Sequence, residues 1–200
     1  VLGGLWVHIP FLITLVAGDL LAGEATAGTY RVLLTRPVSR FKLVTSKFIA
    51  GVIYTQTLVL WLALMSLGLG VLLFGAGELI VVKAGITIFA KDDVLWRFLL
   101  GYGFAALSMT TVTSMAFFFS SLVENAIGPI ITTMAIIIVF IIISAIDISI
   151  FQAIKPYLFT NYLGSWRLFF DDVIDYTKII DSVWILLLHI FAFYGLTLYL

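Results

Sequence analysis

Few side chains in this 200-residue chain could do chemistry, and most of those lie in or beside apolar stretches: His8, Asp19, Glu124, Asp147 and His189. Two facing aspartates could share a catalytic water. The apolar runs around Asp19 and Asp147 place them at opposite faces of a membrane, where they cannot meet. His8 and His189 could form a proton relay or half a metal site, yet neither has an acidic neighbour in sequence and no His-Glu-x-x-His occurs. They read as hydrogen-bonded packing residues. Glu124 could ligate a transported ion, but it stands in a short polar turn and reads as solvated. The chain has no Cys, which removes disulfides, thiolate metal sites and thiol catalysis together. The sequence therefore predicts no catalytic set, no metal and no cofactor bound by this chain.

A second group is defined by density. Ser108, Thr110, Thr111, Thr113, Ser114, Ser120 and Ser121 crowd one apolar run, and Thr132 lies in the next. Hydroxyls let membrane helices approach closely and bond across the contact. Ser108, Thr111, Ser114 and Thr132 are accordingly assigned to helix packing or, as the second reading, to lining a polar path.

The elements that must carry these residues are set by hydropathy. The chain is 62% hydrophobic and 11% charged, with mean hydropathy +1.19, where soluble domains carry about 25% charged residues. Crossing about 30 Å of hydrocarbon takes roughly 20 apolar residues. Stretches at about 1–22, 43–77, 97–122, 126–147 and 182–200 qualify. Residues 1–18 lack the basic start and small-residue cleavage site of a signal peptide. Isoleucine-rich runs favour strands in water, but backbone facing lipid must pair within its own segment, and the alternation of a barrel is absent. The expected fold is an all-α integral membrane bundle forming a single transmembrane domain.

Charge then orients it. Residues 22–47 hold Arg31, Arg36, Arg40, Lys42 and Lys47 against Glu24, whereas 147–181 is net acidic. Basic loops stay in the cytosol, so 23–42 is expected inside and 78–96 and 148–181 outside. The first span then runs inward, and a preceding helix would bring five spans to six. The aromatic segment 148–181, broken by Pro156 and Gly164, reads as short helices on the outer interface, with a weaker case of the same kind at Leu79–Phe89. Zero formal net charge gives no argument for nucleic acid.

The loop holds the most organised pattern: Asp19, then Glu24-x-x-x-Gly28-Thr29, Leu33-Leu34, Arg36-Pro37-x-Ser39-Arg40, and Lys47 opening a long span. Thr26 or Thr29 could cap a short helix through Leu34, and Pro37 ends it. Arg31 and Arg36 could simply anchor the loop to anionic lipid at about 1 kcal/mol each. Alternatively they face a partner protein.

This pattern resembles the ABC-2-type permeases, the membrane subunits of one class of ATP-binding-cassette transporters. The layout of the whole chain is similar, while only 19–47 matches in residues. The resemblance implies a coupling helix at about Glu24–Leu34 seated in a separate cytosolic ATPase. Glu24, Gly28, Thr29, Arg31, Leu33, Leu34, Arg36, Pro37 and Arg40 would be the contact residues. It further implies a second permease chain, with ATP and Mg on the ATPase partner. No Gly-x-x-x-x-Gly-Lys-Ser/Thr occurs here. The expected function is thus a permease subunit, for export, in a bacterial cytoplasmic (inner) membrane. A non-transporting membrane anchor or an ATP-independent secondary transporter are the other readings. Charge reversal at Arg31 or Arg36 is expected to lower ATP-driven transport while leaving the amount of chain in the membrane fraction unchanged. Unaltered transport would argue against coupling.

Overall fold

The computed structural model describes residues 8–28, 39–75, 77–82 and 86–200. Among them five helices are long and apolar enough to cross a membrane. These are α1 (His8–Thr26), α2 (Arg40–Phe74), α3 (Lys91–Ser120), α4 (Ile127–Ala145) and α6 (Tyr176–Tyr199). The remaining elements are a hairpin of β1 (Leu79–Val82) and β2 (Ile86–Phe89), a short helix α5 (Ser149–Ile154), and 3-10 turns at Lys155–Tyr157, Phe159–Asn161 and Ser165–Phe170.

Local chemistry explains the boundaries. Ser39 caps α2, its hydroxyl accepting from the Lys42 N–H at 3.4 Å, and α2 stops at Gly75, whose φ of +78° suits a residue without a Cβ. Asp92 and Asp93 sit in the first turn of α3, where the helix dipole favours negative charge. Asp175 caps α6 by accepting from the Lys178 N–H at 3.1 Å. That bond, with the Lys178 ammonium 3.1 Å from its other oxygen, holds the Asp175 carboxyl below its ordinary pKa.

α3 is the centre of an up-and-down bundle and touches all four other long helices. In its most apolar window 72% of residues are buried, against 6% for α2. Ile13 and Ala17 of α1, Val59 of α2, Met109, Val112 and Met115 of α3, Ile137 of α4 and Leu186 of α6 form one core. Small residues set the spacing. A Cβ on Gly51 would lie 2.9 Å from Leu20 Cδ1 and 3.3 Å from Thr113 Cγ2, so the missing side chain lets α2 come close to α1 and α3 there without displacing them.

The bundle has a basic end, where Glu24, Thr26 and Lys47 lie beside the turn after α3, and an acidic end, covered by the hairpin and residues 146–175. The hairpin corrects the expectation of an interfacial helix at Leu79–Phe89. Ile80, Val81, Val82, Ile86, Thr87 and Ile88 are β-branched, and the antiparallel register Ile80↔Ile88 and Val82↔Ile86 sorts them onto two faces. Phe89 is buried, while Ile80, Val82, Ile86 and Ile88 point outward. In 148–181 short helical pieces do form, with Pro156 inside one turn and Gly164 before another, as expected. Phe159, Phe169 and Phe170 are buried beneath them.

Arg97 holds this end together. It is 7% exposed, and its Nη1 donates to the carbonyls of Phe169 at 2.7 Å and Asp171 at 2.9 Å. Its guanidinium carbon lies 4.2 Å from the centroid of the Phe89 ring and 5.0 Å from that of Trp96. One cation thus joins β2, α3 and the turn at Ser165–Phe170. Arg97→Met keeps the bulk but strands two carbonyls. It is expected to cost about 2–4 kcal/mol, read as a lower unfolding temperature in detergent with helical content retained before melting.

Candidate functional site

The loop pattern centres on the basic end. Glu24 lies in the last turns of α1, and Lys47, two turns into α2, donates to its Oε1 as an ion pair. Both side chains are about one-quarter exposed, at 26% and 28%, so the pair is partly shielded from water and from screening ions. Thr26 Oγ1 stands 2.9 Å from Ala22 O and 2.7 Å from Glu124 O, and its single proton can serve either. Below it the buried Ser120 hydroxyl accepts from the backbone N–H groups of Leu21 at 3.1 Å and Ala22 at 2.9 Å. α1 is therefore pinned to α2 through Glu24, to α3 through Ser120 and to the α3–α4 turn through Thr26.

This alters the expected start of the coupling helix. Glu24, Ala25 and Thr26 continue α1 and do not open a new helix, and Thr26 closes α1 where a cap had been expected. Gly28, with φ +69°, is the left-handed residue after the helix, its N–H bonded to Ala25 O at 3.0 Å. Arg40 opens α2 and is exposed. Thr29, Arg31, Leu33, Leu34, Arg36 and Pro37 lie outside the described residues.

The hydroxyl cluster divides by helix face. Ser108, Thr111 and Ser114 are fully buried on α3. Thr111 and Ser114 donate to carbonyls of their own helix, Leu107 O at 3.3 Å and Thr111 O at 2.7 Å. Ser108 Oγ has no partner among the described residues. All three side chains are enclosed within the bundle in this conformation. Thr132 is exposed and lies outside the α3–α4 seam; its neighbour Thr133 is the buried residue. The bonds between helices fall on other members of the cluster. Thr55 and Thr113 hydroxyls are 2.6 Å apart, and Gln56 Nε2 donates to Thr110 Oγ1 at 2.8 Å. Ser66 bonds the Tyr102 hydroxyl further along the same α2–α3 seam. Near the basic end Thr45 meets Tyr194 at 2.7 Å, joining α2 to α6.

Asp19 and Asp147, among the described residues, stay far apart. Asp19 is exposed on α1 and its carboxylate packs over Gly23, whereas Asp147 lies beyond the far end of α4 beside Gln152 and Lys155. The His189 ring packs at a tilt against Phe159 and Phe193, with Nδ1 2.8 Å from Ile185 O. Among the described residues no three His, Asp or Glu side chains converge as metal ligands. Tyr162, at the acidic end, is held above the ordinary phenol pKa by burial and secondarily by the charge of Asp181.

Residues 2–199 match the family described as "Protein of unknown function (DUF2705)". The chain belongs to that family. A relative from Bacillus subtilis (strain 168), "Uncharacterized protein YhcI", is 31% identical over 118 residues, which is 56% of this chain and 37% of that protein. This chain therefore spans under half the length of that relative. No solved structure matches it significantly.

Lys47 belongs to the basic pattern, but nothing in that pattern pairs it with Glu24 or marks Gln56, Thr55 and Arg97. A lone Gln in an uncharged 30-residue run was the one available signal. The Glu24–Lys47 pair is testable by a charge swap. Glu24→Lys or Lys47→Glu alone is expected to destabilise the chain by about 1 kcal/mol, and the double swap to recover part of the loss in a detergent unfolding cycle. Additive losses would show that the pair contributes nothing.

Proposed function

We propose that this chain is the membrane-spanning permease subunit of an ABC-2-type transporter, exporting its substrate with energy from ATP hydrolysed on a separate cytosolic ATPase. It would lie in a bacterial cytoplasmic (inner) membrane, with 23–42 cytosolic and 148–181 external, and would work with a second permease chain. Five helices of membrane-crossing length and composition support the membrane setting. The basic end supports the orientation, since basic residues are retained in the cytosol.

The observation that carries the coupling role is how the α1–α2 connection is rooted. The last residues of α1 that lead into it, Glu24 and Thr26, are bonded to α2 at Lys47 and to the α3–α4 turn at Glu124, and Leu21 and Ala22 just before them are bonded to Ser120. A partner pressing on residues 27–39 would load α1, α2 and the end of α3 together. The α2–α3 seam gives a means of response. Hydrogen bonds between membrane helices average about 0.6 kcal/mol, so the Thr55–Thr113 and Gln56–Thr110 bonds can be exchanged when the bundle changes state. The mid-depth stretch of α2 carries no charge, which favours an external energy source over ion coupling.

Affinity purification of the tagged chain from its native membranes tests this directly. An ATPase bearing the phosphate-binding Gly-x-x-x-x-Gly-Lys-Ser/Thr motif should co-purify with the unaltered chain. It should be lost on charge reversal at Arg31 and Arg36, while Arg40→Gln, at the margin of the pattern, weakens it less. A chain that purifies without any such ATPase would favour the anchor or the ATP-independent transporter.

A further inference from the structure

A cleft of about 990 Å³ opens at the acidic end between α2 and α3. Its walls are apolar, including Leu67, Val71, Phe74, Leu95 and Phe98, and its deep end is closed by the bonded hydroxyls of Ser66 and Tyr102. Phe74 is 88% and Leu95 62% exposed, so the cleft is open to the side. Glu78, Lys91 and Asp92 stand at its mouth, exposed, and among the described residues none of them is ion-paired.

We infer that this cleft holds one acyl chain of a zwitterionic phospholipid from the adjoining leaflet, its headgroup read by the three charges at the mouth. The inference rests on the membrane setting proposed above but not on coupling to an ATPase. Length and charge both argue for this occupant. Helix rise of about 1.5 Å per residue makes the cleft about 12 Å deep from Phe74 to Ser66 and about 16 Å from Lys91 to Tyr102. One leaflet contributes about 15 Å of hydrocarbon. The mouth carries one cation and two carboxylates, which matches a phosphate joined to an ammonium and leaves an anionic headgroup facing Glu78 and Asp92.

Gly70 makes the test clean. It lines the cleft, and a Cβ there would meet nothing within 4 Å, so Gly70→Trp can start a side chain there without a clash at Cβ and its ring competes for the cleft. Gly68 has equally open space but does not line the cleft, which makes Gly68→Trp the control. The delipidated full chain would be offered equal phosphatidylethanolamine and phosphatidylglycerol of the same acyl chains and weighed by native mass spectrometry. Phosphatidylethanolamine adducts should exceed phosphatidylglycerol adducts about tenfold, fall about tenfold in Gly70→Trp, and persist in Gly68→Trp. Lys91→Gln with Asp92→Asn should bring the headgroup ratio towards one while keeping an adduct. Equal adducts in the unaltered chain, no effect of Gly70→Trp, or an effect of Gly70→Trp on oligomeric state alone would each overturn the inference. Alkaline extraction of native membranes separates the two failures. A chain released by carbonate refutes the membrane setting, whereas a retained chain without selective adducts refutes only the lipid site.

Discussion

A helix enclosed by four others carries a polar side chain at little cost only where it finds a hydrogen bond nearby, and among the buried hydroxyls of α3 Ser108 is the exception. α3 lives under that constraint along most of its length. Thr111 and Ser114 meet it by bonding their own helix, Thr110 and Thr113 also reach residues of α2, and Ser120 receives two backbone donors of α1. The hydroxyls are small, so the same residues that need partners also let neighbouring helices come close enough to supply them. The arrangement of α1, α2, α4 and α6 around α3 follows from this seam of small and hydroxylated side chains together with the apolar core.

The two ends of the bundle are held by different physics. At the basic end the ties are numerous and individually weak: a partly exposed ion pair, a threonine shared between two carbonyls, a tyrosine–threonine bond. Such ties keep elements in register yet can be remade one at a time. At the acidic end a single buried guanidinium spans three elements and is braced by aromatic rings. Taking a charge out of water and leaving it unpaired is costly, so that junction resists rearrangement.

The hairpin Leu79–Phe89 shows why apolar character alone was an insufficient guide to conformation. Its β-branched residues lie in two short runs, and each run is too short to form a helix that buries anything. Pairing the runs satisfies their backbone groups and lets Phe89 reach Arg97. The aromatic segment 148–181, by contrast, contains Pro156 and Gly164 at spacings that local turns accept, and it folds as its composition suggested.

From the sequence alone came the number and approximate extent of the long helices, the charge asymmetry of the two ends, the breaks at Pro156 and Gly164, and the absence of cysteine chemistry. These depend on local composition and backbone preference, which a linear reading reports directly. Which way each residue faces came only from the tertiary structure. In a soluble helix polar residues mark the outer face, but in a helix that meets apolar neighbours on one side and an apolar surface on the other both faces look alike. Thus Thr133 and not Thr132 is buried, and Gln56 finds Thr110. Lys47 finds Glu24 across 23 residues, and Arg97 reaches Phe169 across 72. Hydropathy reports depth along the bundle; rotation about each helix axis is decided by packing, and packing is where the partners at both ends were chosen.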